Sequence, residues 1–248
     1  MKSIVMIFLV LCSLLSTGNA LQGRESSFQE GNEAYRTGDY KKAYQAYEAA
    51  SNEIHALEVF YNMGNAAFKM SNLGLAIWNY ERARKLDPRN EDVLANLSFA
   101  ESLVEYRVSD QRNWYHRKFD EGLERVTFDE LIMVSSIAYF GFMLALLVNL
   151  LMKKRFVMSN LGSICLAVVI LTALPAGIKF YETQIQQVGV VTSRKAEARY
   201  GPTAADQPAF NLVEGIKVQI VDQWGDWFRI RLLNQESGWI PKKDISVI

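Results

Sequence analysis

Leu131–Met152 reads LIMVSSIAYFGFMLALLVNLLM, Lys153-Lys154-Arg155 follows at once, and Phe156–Ile178 reads FVMSNLGSICLAVVILTALPAGI. Neither run carries a charge. At about 1.5 Å rise per residue each spans roughly 33 Å as a helix, enough for the hydrocarbon core of a bilayer. Soluble cores rarely offer two such runs three residues apart. The stretch therefore predicts a tight transmembrane hairpin, with spans over 131–152 and 156–178. The cations Lys153, Lys154 and Arg155 place its tip, residues 153–155, in the cytoplasm. Asn149 and Asn160 fall at similar depth, and they either pair across the hairpin or reach the headgroups. Pro175 is expected to kink or end its helix.

Working outward, the N-terminus opens with Lys2, the apolar run Ile4–Leu15 and the small-residue exit Ser16-Thr17-Gly18-Asn19-Ala20. That is a secretory signal peptide over 1–20, cleaved after Ala20 or kept as an anchor. It exports the following segment, and the hairpin returns the chain outward. Both soluble segments, 21–130 and 179–248, are thus expected in the periplasm, outside a bacterial inner membrane.

Whole-chain averages conceal this division. The 248 residues carry 27 Lys+Arg and 27 Asp+Glu, and a mean hydropathy of −0.02 resembles that of a soluble protein. Half the residues are apolar, too many for a disordered chain, and no basic surplus exists to bind nucleic acid. Two Cys and two His build neither a disulfide framework nor a four-ligand zinc site. Cys12 leaves with the signal peptide and Cys165 lies in the second span, so the exported segments hold no cysteine.

A shift of 33 residues superposes the segment 21–108 on itself. Gly31-Asn32 meets Gly64-Asn65, Ala43 meets Ala76, Tyr47 meets Tyr80, and Ala50 meets Ala83. Each unit predicts two helices, with turns at Thr37-Gly38-Asp39 and Ser71-Asn72. The small residues let the helices approach, and the tyrosines fill the remaining space. Asp87-Pro88 stops the second unit and Asn90 caps a further helix, Glu91–Glu105.

On these residues the segment resembles the tetratricopeptide repeat. The second unit matches through Gly64-Asn65-Ala66-Ala67-Phe68-Lys69, Ala76, Tyr80, Ala83 and Leu86-Asp87-Pro88. The first matches through Gly31, Gly38-Asp39-Tyr40, Ala43, Tyr47 and Ala50, but lacks the closing Pro and is one residue short. The resemblance implies an α-helical solenoid with a concave protein-binding face carrying Asn32, Tyr35, Arg36, Asn65, Phe68 and Lys69. Asn amides donate and accept together, as the backbone of an extended peptide requires. Arg36 and Lys69 offer charge to an acidic group. Phe28 and Tyr61 stand where carboxylate-clamp members have Lys or Asn, so capture of a terminal carboxylate is not expected. The alternative is that Tyr35 and Phe68 are packing residues and the chain's own linker fills the groove.

Over 109–130 the residues Trp114, Tyr115, Phe119, Leu123 and Val126 recur at helical spacing among Arg112, Arg117 and Lys118. This predicts an amphipathic juxtamembrane linker, lying either on the membrane surface or as a spacer on the repeats. From Gly189 onward the pattern changes to short alternating strands: Lys217–Val221, then Trp227–Leu232 after the turn Gly225-Asp226, then Trp239-Ile240-Pro241. A small closed barrel is expected over 179–248.

Val190-Val191-Thr192, Ala198-Arg199-Tyr200-Gly201-Pro202, Val213-Glu214-Gly215, the run from Gly225 to Ile230 and Ser237-Gly238-Trp239-Ile240-Pro241 resemble the bacterial SH3 domain. The resemblance implies a β-barrel that binds peptides, cell-wall peptides among them, through an aromatic groove. Tyr200, Trp224, Trp227 and Trp239 are the candidates for it. Alternation puts Trp227 and Trp239 partly in the core and leaves Trp224 exposed at a turn. Tyr200 replaces the small residue common in such domains.

No enzyme is expected. His55 and His116 are far apart in sequence and lack a flanking nucleophile arrangement, and no phosphate-binding glycine loop occurs. No metal or cofactor is expected either. The predicted class is multidomain α plus β. The order of signal peptide, repeats, hairpin and SH3-like domain resembles the BatE-type proteins of aerotolerance operons. That resemblance implies a scaffold or adaptor working beside von Willebrand factor A membrane proteins and MoxR-type ATPases. A cell-wall-binding sensor, with its SH3-like domain on peptidoglycan peptides, is the alternative.

Overall fold

The computed structural model describes residues 27–52, 56–105, 113–152, 155–181 and 187–248. The expected signal peptide, His55 and the tip residues Lys153 and Lys154 lie outside them, as do the side chains of Asn149, Arg155 and Asn160. The chain is mixed α plus β and divides into two compact units. One combines the segment up to Val108 with Val188–Ile248, and the other is Ser109–Gln187.

The first unit begins with helices α1 (27–36), α2 (Tyr40–Ser51), α3 (Leu57–Lys69), α4 (Leu73–Leu86) and α5 (Glu91–Ser102). Side-chain oxygens of Asp39, Asn72 and Asn90 cap α2, α4 and α5 by accepting from the amides of Lys42, Leu75 and Val93. The 33-residue shift survives in space. A Cβ at Gly31 would stand 2.5 Å from the Tyr47 ring, and one at Gly64 would stand 2.5 Å from the Tyr80 ring. Only glycine permits either approach. The two turns correspond as well, with Gly38 at φ 84° and Ser71 at φ 57°.

Seven strands follow: β1 (Gln187–Val191), β2 (Lys195–Arg199), β3 (Pro208–Val213), β4 (Lys217–Trp224), β5 (Trp227–Arg231), β6 (Ser237–Pro241) and β7 (Ile245–Val247). They form an antiparallel sheet in the order β3-β2-β6-β5-β4-β1-β7. The expected closed barrel is corrected here: the sheet is open, with β3 and β7 as its edges. The β7 edge is turned to helix α4 instead. There the Trp78 indole donates to the Val247 carbonyl at 2.8 Å, and the Lys85 ammonium donates to that of Ile248 at 3.0 Å.

Helix α4 meets the sheet along the stripe Gly74, Ile77, Trp78, Glu81 and Lys85, spaced by three and four residues. The Gly74 amide, in the first turn, donates to the Glu214 carboxylate at 3.1 Å, a favourable place for an anion. A Cβ at Gly74 would lie 2.5 Å from the Val191 carbonyl oxygen, and one at Gly215 would lie 2.8 Å from Ile77. At Gly74 backbone therefore approaches backbone, and at Gly215 the turn closes directly on the Ile77 and Val104 side chains. Val190 joins the helical core, and Val104 touches both cores.

Glu81 is 2% exposed, yet it is charged and paired. Lys217 Nζ stands 2.9 Å from its carboxylate, Arg84 binds the other carboxylate oxygen at 2.8 Å, and Lys217 also reaches Glu101 at 2.7 Å. Burial alone would raise the Glu81 carboxyl, but Lys217 and then Arg84 hold it below its usual range. Burial pulls the Lys217 ammonium down, while Glu81 and Glu101 more than offset this and push it up.

The second unit holds α6 (Trp114–Glu124), α7 (Phe128–Met152) and α8 (Arg155–Phe180). Helices α7 and α8 are long and apolar enough to cross a membrane. Helix α7 starts three residues before the expected Leu131, because Thr127 and Glu130 form a capping box. The Glu130 amide donates to the Thr127 hydroxyl at 3.2 Å, and the Thr127 amide donates to the Glu130 carboxylate at 2.9 Å. Pro175 does not end α8, which continues to Phe180. Across the hairpin the Ser135 hydroxyl donates to that of Thr172 at 2.6 Å, and Thr172 donates to the Val168 carbonyl at 2.8 Å.

Lys217→Met strands most of the Glu81 charge. It is expected to weaken the contact between α4 and β4 by about 1–3 kcal/mol, after allowance for the partial exposure of Lys217. Faster amide exchange in both elements is the readout, with Lys195→Met as the neutral control. Because the Glu81 carboxyl is held low in the folded chain, its contribution is complete above the ordinary carboxylate range, about pH 4.3. It is lost as pH falls through the depressed folded value. The difference between wild type and Glu81→Gln should therefore shrink only on strong acidification.

Candidate functional site

A groove of about 360 Å³ opens on the helical array. Tyr35 of α1 and Tyr61, Asn65, Phe68 and Lys69 of α3 line one part, with Tyr80 of α4 and Asn96 and Phe99 of α5 completing it. The structure thus brings together four of the six expected residues. Asn32 and Arg36 lie apart from the lining, and Arg36 forms an ion pair with Glu33 one turn earlier.

The asparagines serve the array before they serve any ligand. Asn65 Oδ1 accepts from the Tyr80 hydroxyl at 2.7 Å and from Asn96 Nδ2 at 3.0 Å. One repeat earlier, Asn32 Oδ1 accepts from the Tyr47 hydroxyl at 2.9 Å and from Asn62 Nδ2 at 3.4 Å. Burial pushes the Tyr47 phenol up to about 12 and raises that of Tyr80 further, so both remain donors. The carbonyl oxygens expected to read a peptide backbone are therefore engaged in tying successive helices. What the groove presents instead is aromatic surface and charge. The Phe68 and Phe99 rings lie 5.7 Å apart, and Lys69 has no ion pair among the described residues.

Asn96 and Phe99 escaped the sequence reading because α5 lies beyond the second repeat. A weak signal was present: Asn96 follows Asn62 by nearly the repeat length, and both donate to the asparagine of the preceding helix pair.

On the sheet, register gathers the tryptophans. Trp224 lies opposite Trp227, Trp227 opposite Pro241, and Trp239 opposite both Arg229 and Arg199. Directly opposed residues share a face, so Trp224, Trp227 and Trp239 occupy one side while Ile230 and Ile240 fill the core on the other. A bulge between Ile220 and Asp222 makes this possible. Strict alternation from Ile220 would have sent Trp224 to the core side, whereas the extra residue sends it outward, 70% exposed. Trp227 and Trp239 are half-buried. Tyr200 is exposed and lies outside the strands, its amide bonded to the Gln207 carbonyl at 3.1 Å. Arg199 steadies that loop through the carbonyls of Ala204, at 3.0 Å, and Asp206, at 2.5 Å. Among the described residues no His, Cys, Asp and Glu side chains gather as a metal site.

No family model and no curated protein matches the chain. Among solved structures it is similar to the C-terminal SH3 domain of myosin IB from Entamoeba histolytica. The identity is 28%, over 22% of this chain and 90% of that domain, with a TM-score of 0.16. The architecture of the sheet rests on its own strand order and register.

Asn65→Ala removes the acceptor shared by Tyr80 and Asn96. It is expected to cost about 1–3 kcal/mol of stability, the penalty for leaving buried donors unmatched. Lys69→Ala should leave the melting curve of the chain unchanged. Equal losses in the two variants would contradict the division between tying and free groups.

Proposed function

We propose that this chain is a non-enzymatic, membrane-anchored scaffold that holds protein partners on a tetratricopeptide-type helical array and an SH3-like sheet. The observation that carries the reading is the open groove, where aromatic side chains from four helices surround Lys69, which has no ion pair among the described residues. Aromatic side chains with few rotamers and a central cation suit an extended peptide bearing an acidic residue. Helices α7 and α8 are its anchor, crossing the membrane twice with residues 153–155 in the cytoplasm. The contact between Glu81 and Lys217 supports an even number of crossings: groups from before and after the two helices meet in one packed unit, so both must lie on one side. That side is the periplasm in this reading, and residues 1–20 are the export signal. The partners best suited are von Willebrand factor A membrane proteins of a Bat/MoxR-type aerotolerance or envelope stress system.

A second reading, a wall-binding sensor, draws on the exposed Trp224 beside Trp227 on the sheet. Sugar and peptide ligands stack readily on such a surface.

Affinity purification from cross-linked membranes separates the two. Lys69→Glu combined with Phe99→Ala should lose co-purifying von Willebrand factor A proteins while the chain stays folded and inserted. Trp224→Ala should spare them. Loss of peptidoglycan fragments in Trp224→Ala, with protein capture unchanged in the groove variant, would favour the sensor and sink the scaffold.

A further inference from the structure

We propose that two copies of this chain pair inside the bilayer about a twofold axis, α7 along α7, with Tyr139 of each copy bonded to Ser136 of the other. The inference rests on the reading that α7 and α8 cross a membrane. Tyr139 and Ser136 are exposed on α7, and neither hydroxyl has a hydrogen-bond partner among the described residues. The neighbouring Ser135, by contrast, is satisfied by Thr172 across the hairpin. Tyr139 stands near the midpoint of the apolar stretch Phe128–Val148. About 13 Å of helix separates it from the nearer end, further than a phenol side chain extends toward the headgroups. A hydroxyl left unpaired in hydrocarbon is costly, and polar side chains of spanning helices accordingly hydrogen-bond across helix pairs.

The placing of these two residues identifies the partner. Ser135, Ala138, Phe142 and Ala145 form the covered stripe of α7, half-buried or buried, and Ser135 ties that stripe to α8. Moved on by one residue, about 100° round the helix, the same spacing gives Ser136, Tyr139, Met143 and Leu146, with Ile132 a turn before. All five are exposed. Steps of four, three, four and three residues make a second seam, of the kind along which parallel helices pack with a left-handed twist. Copies of one chain share one topology, so two α7 helices run parallel and equal residue numbers stand at equal depth. Helical side chains lean toward the N-terminus, which carries the Tyr139 hydroxyl back to the level of Ser136 on the facing helix. The twofold axis repeats the contact, so each copy supplies both the donor and the acceptor that the other needs. The seam holds no charge to oppose its own approach.

The test uses the full chain in membranes, with Cys12→Ser and Cys165→Ser as background. Oxidation should cross-link two copies through Met143→Cys or Leu146→Cys, on the seam, and not through Ile137→Cys or Leu144→Cys, which face elsewhere. In liposomes, energy transfer between labelled copies should persist on lipid dilution. Tyr139→Phe should raise the dissociation constant about tenfold, the loss of two interhelical bonds. Ser136→Ala should do the same, and the double variant should lose no more. Equal cross-linking at all four positions overturns the inference. Energy transfer at the random level in the wild type, or unmoved by Tyr139→Phe, overturns it as well, as do cross-links formed only with a different polypeptide. A chain released by alkaline carbonate overturns the spanning reading too, whereas an inserted monomer overturns this inference alone.

Discussion

A carboxylate buried in a helix face must find its counter-charge or take up a proton. Glu81 finds Lys217, 136 residues further along the chain. Both apolar helices lie between them. Neither the helical array nor the sheet alone neutralises Glu81 fully, because Arg84 reaches only one of its two carboxylate oxygens. The arrangement makes the two segments depend on each other. Desolvating two charges offsets much of their attraction, so such a pair contributes more to register than to net affinity. Register is what this junction needs, since Gly74 brings main chain against main chain and Gly215 lies against the Ile77 and Val104 side chains, with no room for a Cβ at either.

Helix α4 consequently has different neighbours on different faces. Tyr80 turns toward α3 and the groove, where its hydroxyl holds Asn65, while the next residue, Glu81, turns toward the sheet. Ala76 and Ala83 keep α4 close to α3, and Ile77 and Trp78 lie on the sheet side. Groove and sheet therefore share one rigid element, with adjacent residues of a single helix touching each. Arg82 adds stiffness by stacking between Phe60, 3.8 Å from its guanidinium carbon, and Trp78, 4.6 Å away.

Much of this was legible in residue pattern alone. The 33-residue recurrence of Gly31 and Gly64 against Tyr47 and Tyr80 is a steric statement, and steric statements transfer directly from sequence to structure. The capping box at Thr127 and Glu130, which sets the start of α7, was not part of the sequence reading, which ran the linker on to residue 130. What was not legible depends on residues distant in sequence. Nothing local marks Glu81 as buried, for a glutamate beside two arginines and a lysine reads as a solvated face. The bulge after Ile220 breaks the two-residue period and was not readable; Trp224 was read as exposed from its place at a turn, and the bulge is the reason that it is. The closed barrel was overread for a related reason: short strands and tight turns specify neighbours, and closure depends on what the last strand meets, here α4. Asparagines looked available for a ligand because a sequence does not display the tyrosines that occupy them.

The insertion of the hairpin between the two sequence segments of the first unit is compatible with stability because loop closure costs rise only logarithmically with length. An inserted pair of helices that packs on itself adds little further cost. The constraint is one of order instead. Helices α1 to α5 can form as soon as residues 27–105 emerge, since their caps and the contacts between Asn and Tyr are local. The stripe on α4, with its buried Glu81, stays uncovered until β1, β4 and β7 arrive from beyond both apolar helices. During that interval Glu81 retains Arg84, three residues away, as an interim partner. Its presence makes a charged interface tolerable at a junction that must wait for its second half.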